Sequence, residues 1–108
     1  MNPTEQALEK ELQDKGLNAP RLSPEQIDSV IVKEQYYTFP KTLVTVCCLT
    51  LKNGFTTMGE SACVSPENFD IEVGRKVAKE NARNKIWALE GYLLKEKLAL
   101  TKAVRECE

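Results

Sequence analysis

TLVTVCCLTLKNGFTTMGESAC, residues 42–63, is the stretch that decides the fold. Its first half is rich in Val, Thr and Leu, its second half is again β-type, and Asn53-Gly54 stands between them. Asn-Gly between two such runs is the strongest short-range hairpin signal, because both turn residues must accept positive φ. A two-residue loop would set Lys52 against Phe55, Leu51 against Thr56, Leu49 against Met58 and Cys47 against Glu60. Gly59 would then fall opposite Cys48, where a bulge or a close backbone approach is expected. Leu43, Cys47, Leu49 and Leu51 share one face of the first strand, and Val44, Val46 and Cys48 share the other. With both faces apolar, the sheet calls for cover on both sides.

Upstream, Tyr36-Tyr37-Thr38-Phe39 precedes Pro40 and is a candidate third strand. One phrase occurs twice, LSPEQID at residues 22–28 and VSPENFD at residues 64–70. Each reads as a helix start, with Ser as N-cap, Pro at the first helical position, and an apolar residue before the cap (Leu22, Val64) to staple onto Ile27 or Phe69. The first of these helices is short, marked by Ile27, Val30, Ile31 and Glu34, and Pro40 stops any continuation. The second runs from Pro66 to about Glu106 without a proline, with Gly91 as the point where it could kink or break. Ala78, Ala82, Ile86, Leu89, Leu93, Leu100 and Val104 make one apolar stripe along it, and Trp87, Leu94 and Leu98 a second. So wide an apolar arc in so small a chain predicts a homo-oligomer. Residues 1–21 read as an N-terminal helical arm and linker, with Asn2 as cap, Pro3 at the first position and Gly16 closing the end. Residues 22–108 read as a single α+β domain: a short helix, an antiparallel hairpin and a long C-terminal helix.

The chain has 108 residues, 15 Lys plus Arg against 16 Asp plus Glu, and no histidine. The balanced charge disfavours general binding to DNA. The missing histidine removes the commonest general base and zinc ligand, so Ser-His-Asp, Cys-His and His-metal chemistry are excluded. Cys47, Cys48, Cys63 and Cys107 contain no CxxC pair and read as buried thiols of a reduced, soluble, intracellular protein. No apolar run reaches the ~18 residues of a membrane span, and no leader pattern opens the chain. Glu60, Glu67, Asp70 and Glu72 could be grouped as metal ligands, but Glu67 and Asp70 are expected in the first turn of the long helix, where acids complement its dipole. Neither an enzyme nor a cofactor is expected.

The expected ligand-binding residues come from two regions. Arg75, Lys76, Lys79 and Arg83 recur along the long helix as a basic ridge suited to phosphate oxygens. Tyr36 and Tyr37 offer stacking surfaces, and Lys52 and Thr57 add polar groups near the hairpin tip. Gly74 inside the helix marks a close neighbour, either backbone or ligand.

VCCLTLKNGFTTMGESACVSPENFD together with GRKVAKENARNKIWALEGYLL, within residues 45–94, resembles a family of small tailed-phage accessory proteins. That family is named only after phage gene products forty-nine and sixty-six. The resemblance spans about half the chain and implies a gene product acting in the cytoplasm of an infected bacterium, with no catalytic motif. In that setting the expected function is anti-defence: a sponge that sequesters a nucleotide-type signalling molecule at subunit interfaces. The alternative is inhibition of a host protein through the hairpin edge or an exposed helix face.

Overall fold

Residues 3–14 and 21–107 are described by a computed structural model. The elements are α1 (Pro3–Asp14), α2 (Pro24–Ser29), β1 (Ile31–Thr38), β2 (Val44–Leu51), β3 (Thr56–Ala62), a 3₁₀ turn (Pro66–Asn68) and α3 (Ile71–Cys107). They form an α+β fold with one antiparallel sheet in the order β1-β2-β3. The chain divides into two compact units, Val30–Ile86 and a second made of Met1–Ser29 with Trp87–Glu108. Asn2, Gly16 and the linker up to Pro20, and the side chains of Val104 and Cys107, lie outside the described residues.

The capping box at the first SPE phrase forms as its chemistry dictates. The Ser23 amide donates to Gln26 Oε1 at 3.0 Å, and the Gln26 amide donates to Ser23 Oγ at 3.3 Å. The helix it starts is shorter than the sequence suggests. Ser29 Oγ donates back to the Gln26 carbonyl at 2.8 Å, α2 ends there, and the residues from Ile31 onward join the sheet as β1. Ile31, Val32, Tyr36, Tyr37 and Thr38 are β-branched or aromatic, and pairing with β2 outweighs a helical spacing that had few apolar positions to recommend it. The candidate third strand is therefore real and longer than its aromatic core.

The hairpin differs by one residue from the two-residue-loop expectation. The Gly54 amide donates to the Leu51 carbonyl at 2.9 Å, and the Leu51 amide to the Phe55 carbonyl at 2.8 Å, so the loop is Lys52-Asn53-Gly54. Gly54 has φ +89° while Asn53 does not reach positive φ. This is a three-residue loop ending in a left-handed glycine, and the Phe55 amide finds its acceptor in Asn53 Oδ1 at 2.9 Å. Cys47 consequently pairs with Gly59, Cys48 with Met58 and Val46 with Glu60. A slip of one residue exchanges faces: Glu60 leaves the core side and Gly59 enters it.

Among the described residues, only one face of the sheet is covered. Thr45, Cys47, Leu49 and Leu51 of β2 and Thr57 of β3 are buried on the side where α3 lies, together with Ala78, Ala82 and Ile86. Leu49 and Ile86 each contribute about 2 kcal/mol by this burial. Small residues allow the approach. A Cβ at Gly59 would collide with the backbone of Ala78 and Ala82, and one at Gly74 would stand 3.2 Å from Thr45 Oγ1. The close neighbour of Gly74 is thus the sheet itself.

The second SPE phrase behaves differently from the first. Pro66–Asn68 is a separate 3₁₀ turn, Ser65 caps nothing with its side chain, and Val64 is fully exposed and staples to nothing. Asp70 is the cap instead: its Oδ1 accepts from the amides of Glu72 at 2.9 Å and Val73 at 3.3 Å. From Ile71 the helix runs unbroken through Gly91. Beyond Trp87 its apolar residues are largely exposed, Leu89, Tyr92, Leu93, Leu98 and Leu100 among them. In the unit that contains α1, Trp87 Nε1 donates to Glu5 Oε1 at 3.1 Å and Arg21 bridges to Glu9 at 2.6 Å.

Candidate functional site

The alternation of β1 separates the residues expected to act together. Tyr36 pairs with Cys47 and Glu34 with Leu49, on the buried α3 side, whereas Tyr37 pairs with Val46 and Gln35 with Cys48, on the open side. The eight expected ligand residues therefore do not form one site in a single copy of the chain.

On the α3 side, Arg75 lies over the Tyr36 ring, 5.6 Å from its centroid. Lys79 Nζ is 2.8 Å from Glu34 Oε2, and Tyr36 Oη donates to Glu34 Oε1 at 3.2 Å. The lysine holds the Glu34 carboxyl below the usual carboxylate range. Burial, helped by the neighbouring Cys47 and Glu34, pushes the Tyr36 phenol up to about 12, and burial raises the Cys47 thiol. Lys79 is thus engaged within the fold, and Arg75 and Lys76 are the exposed cations of the ridge. Arg83 is only 4% exposed and belongs to the interior. Thr57 is 6% exposed, its hydroxyl without a hydrogen-bond partner among the described residues, and Lys52 sits in the hairpin loop.

The open face carries a groove of ≈ 430 Å³ lined by Gln35, Tyr36, Tyr37, Phe39, Val46, Cys48 and Met58. Tyr37 is 56% exposed, Met58 52% and Phe39 46%. The Tyr37 and Phe39 rings meet edge to face, centroids 4.9 Å apart. Lys33 shares this face at one end through its pairing with Thr50. At the other end the chain turns through Phe39-Pro40-Lys41-Thr42. The Thr42 amide donates to the Phe39 carbonyl at 3.1 Å, and Lys41 adopts φ +61°, left-handed backbone that costs a non-glycine residue about 1 kcal/mol. Gln35, Phe39, Val46, Cys48 and Met58 were absent from the expected site. For Val46 and Cys48 the signal was the second apolar face of the central strand, which called for cover and has none among the described residues.

Among the described residues no three metal-binding side chains cluster, and no helix is long and apolar enough to cross a membrane. The fold defines a small α+β protein with one covered and one open sheet face. Residues 22–98 match the phage protein (N4 Gp49/phage Sf6 gene 66) family, and the chain belongs to it. No curated protein and no solved structure matches the chain.

Proposed function

We propose that this chain is a non-enzymatic phage accessory protein that counters host defence in the bacterial cytoplasm by sequestering a nucleotide-type signalling molecule between copies of itself. The open-face groove is the observation that supports this reading most. Its ≈ 430 Å³ suits a small organic ligand, for which sites of about 300–1,000 Å³ are usual. Tyr37, steadied by Phe39, presents a ring on which a base can stack for about 1–3 kcal/mol. Lys33, two residues before Gln35 on the same face, and Lys41, two residues after Phe39, are the cations nearest in sequence to its lining. Arg75 lies over Tyr36 on the α3 side, so a ligand seated in the groove of one copy does not reach it. A sequence without histidine and a family without a carried-over catalytic motif favour capture over turnover.

The test is thermal stabilisation by a panel of cyclic di- and trinucleotides, followed by denaturation and recovery of the bound compound unchanged. Tyr37→Ala should weaken binding at least tenfold. A panel that leaves the melting temperature unmoved refutes the reading. The exposed apolar residues of α3 between Leu89 and Leu100 support a second one, in which a host protein docks on that helix face. The hairpin edge is the other surface for such a partner; there the Met58 and Glu60 carbonyls already accept from Lys85 and Asn81 of α3.

A further inference from the structure

We propose that the β3 side of the sheet completes the open-face groove as a ribonucleotide site, in which Tyr37 takes the base, Glu60 a ribose hydroxyl and Lys85 the phosphate. This rests on the function proposed above and names the ligand class and the residues that select it. The strands align these groups in rows. Tyr37 pairs with Val46 and Val46 with Glu60; Gln35 pairs with Cys48 and Cys48 with Met58; Lys33 pairs with Thr50 and Thr50 with Thr56. All three rows belong to the open side, because they alternate with rows such as Tyr36, Cys47 and Gly59 that face α3.

Lys85 is a cation that the fold itself carries to the rim of this groove. It starts from α3, on the covered side, yet its Nζ reaches the outer edge of β3 and donates to the Met58 carbonyl at 2.5 Å. The Leu51 and Cys63 amides bond to the Phe55 and Leu43 carbonyls, so the main-chain groups of Met58 point away from β2 while its side chain lines the groove. An ammonium carries three donors, and the Met58 carbonyl uses one. Two remain for phosphate oxygens, and Lys85 is exposed. Arg75 and Lys79 of the same helix are instead engaged with Tyr36 and Glu34 on the covered side.

Glu60 is exposed in the row of Tyr37, and among the described residues no ion pair holds its carboxylate. Two strand spacings, about 10 Å, separate the backbones of Tyr37 and Glu60. That span accommodates a base on the ring with its ribose beside the carboxylate. An ionised carboxylate only accepts hydrogen bonds, so it takes a donor such as a ribose hydroxyl and repels a phosphate. The next row, about 7 Å along the strands, holds Met58 with Lys85 at its rim, and the row beyond holds Lys33 with the Thr50 and Thr56 hydroxyls. Charge along this face thus passes from an acid in the row of the ring to ammonium groups farther away, in the order of base, ribose and phosphate. A 2′-deoxy ligand would leave Glu60 without its donor, which makes Glu60 the residue that distinguishes ribose from deoxyribose.

Titration calorimetry on the full chain decides it, with cyclic di-AMP, cyclic di-GMP and cyclic tri-AMP and the 2′-deoxy counterpart of each as probes. The wild type should bind the ribose form of its ligand about tenfold or more tightly than the deoxy form, the usual effect of a hydrogen bond to a charged group. Glu60→Ala should bring that ratio close to one, a readout that a loss of folded protein does not move. Lys85→Met should weaken both forms about tenfold or more, and Lys85→Arg should retain binding. Asn81→Leu, which removes the neighbouring edge bond but no charge, should bind as the wild type does. Equal binding of ribose and deoxy forms by the wild type, a preference that survives Glu60→Ala, or undiminished binding by Lys85→Met overturns the assignment. If Lys85→Met does not fold, the two ratios decide. Binding that Tyr37→Ala abolishes but that is indifferent to Glu60 and Lys85 would overturn this assignment and leave the sequestering function standing, whereas a wild type that binds none of the probes would overturn both.

Discussion

The side-chain amide of Asn81 donates to the main-chain carbonyl of Glu60 at 2.8 Å, from a helix to the outer edge of a strand 21 residues earlier. One bond thus fixes α3 against β3 and occupies an edge acceptor. Replacing Asn81 by Leu should lower stability by about 1 kcal/mol, the usual net value of such a bond. It should also raise the tendency to aggregate on heating, which light scattering reads directly; unchanged melting and scattering would show that the edge is closed by other means.

Two glycines separate steric from conformational cost. Gly59→Ala drives a methyl into the backbone of Ala78 and Ala82, so α3 has to move, and the expected loss is about 3 kcal/mol. Gly54→Ala meets no atom within 4 Å and loses only the freedom to hold φ +89°, about 1 kcal/mol. Urea titrations of both variants should preserve that order.

Lys41 occupies the position of the β1–β2 turn that glycine fills best. Lys41→Gly should raise stability by up to about 1 kcal/mol while weakening any anion held at that end of the groove. A gain in melting temperature paired with an undiminished nucleotide-induced shift would remove Lys41 from the site.

Much of this could be read in the sequence, and the failures share a cause. Asn53-Gly54 announced the hairpin, but Asn-Gly also suits a three-residue loop, and no local feature separates the two. The choice is made where Gly59, and not Glu60, meets Ala78 and Ala82. Ile31 and Glu34 matched a helical spacing by coincidence, because β1 is an edge strand whose pattern includes exposed charges. Ser65 and Ser23 stand in the same motif, yet Asp70 offers a better cap five residues later. Tyr36 and Tyr37 were grouped as neighbours in sequence, although neighbours in a strand face opposite ways, and only knowing that residues 31–38 are a strand separates them.

Tyr36 supplies a pH prediction. Its phenol, normally near 10, is pushed up to about 12 in the fold, so the folded state holds its proton more tightly than the unfolded chain. That contribution is fully present below pH 10 and is lost as pH rises toward 12. Tyr36→Phe should flatten this alkaline limb in stability-versus-pH curves; an identical limb in both proteins would assign it to other groups.

The most direct test of the central claim is native mass spectrometry of the protein isolated from infected bacteria. The account predicts an assembly of at least two chains carrying extra mass that is released, on denaturation, as an intact nucleotide-type compound, and that is missing from the Tyr37→Ala protein. A wild-type spectrum showing bare chains with no such mass, from cells in which the host signal is being made, would contradict it.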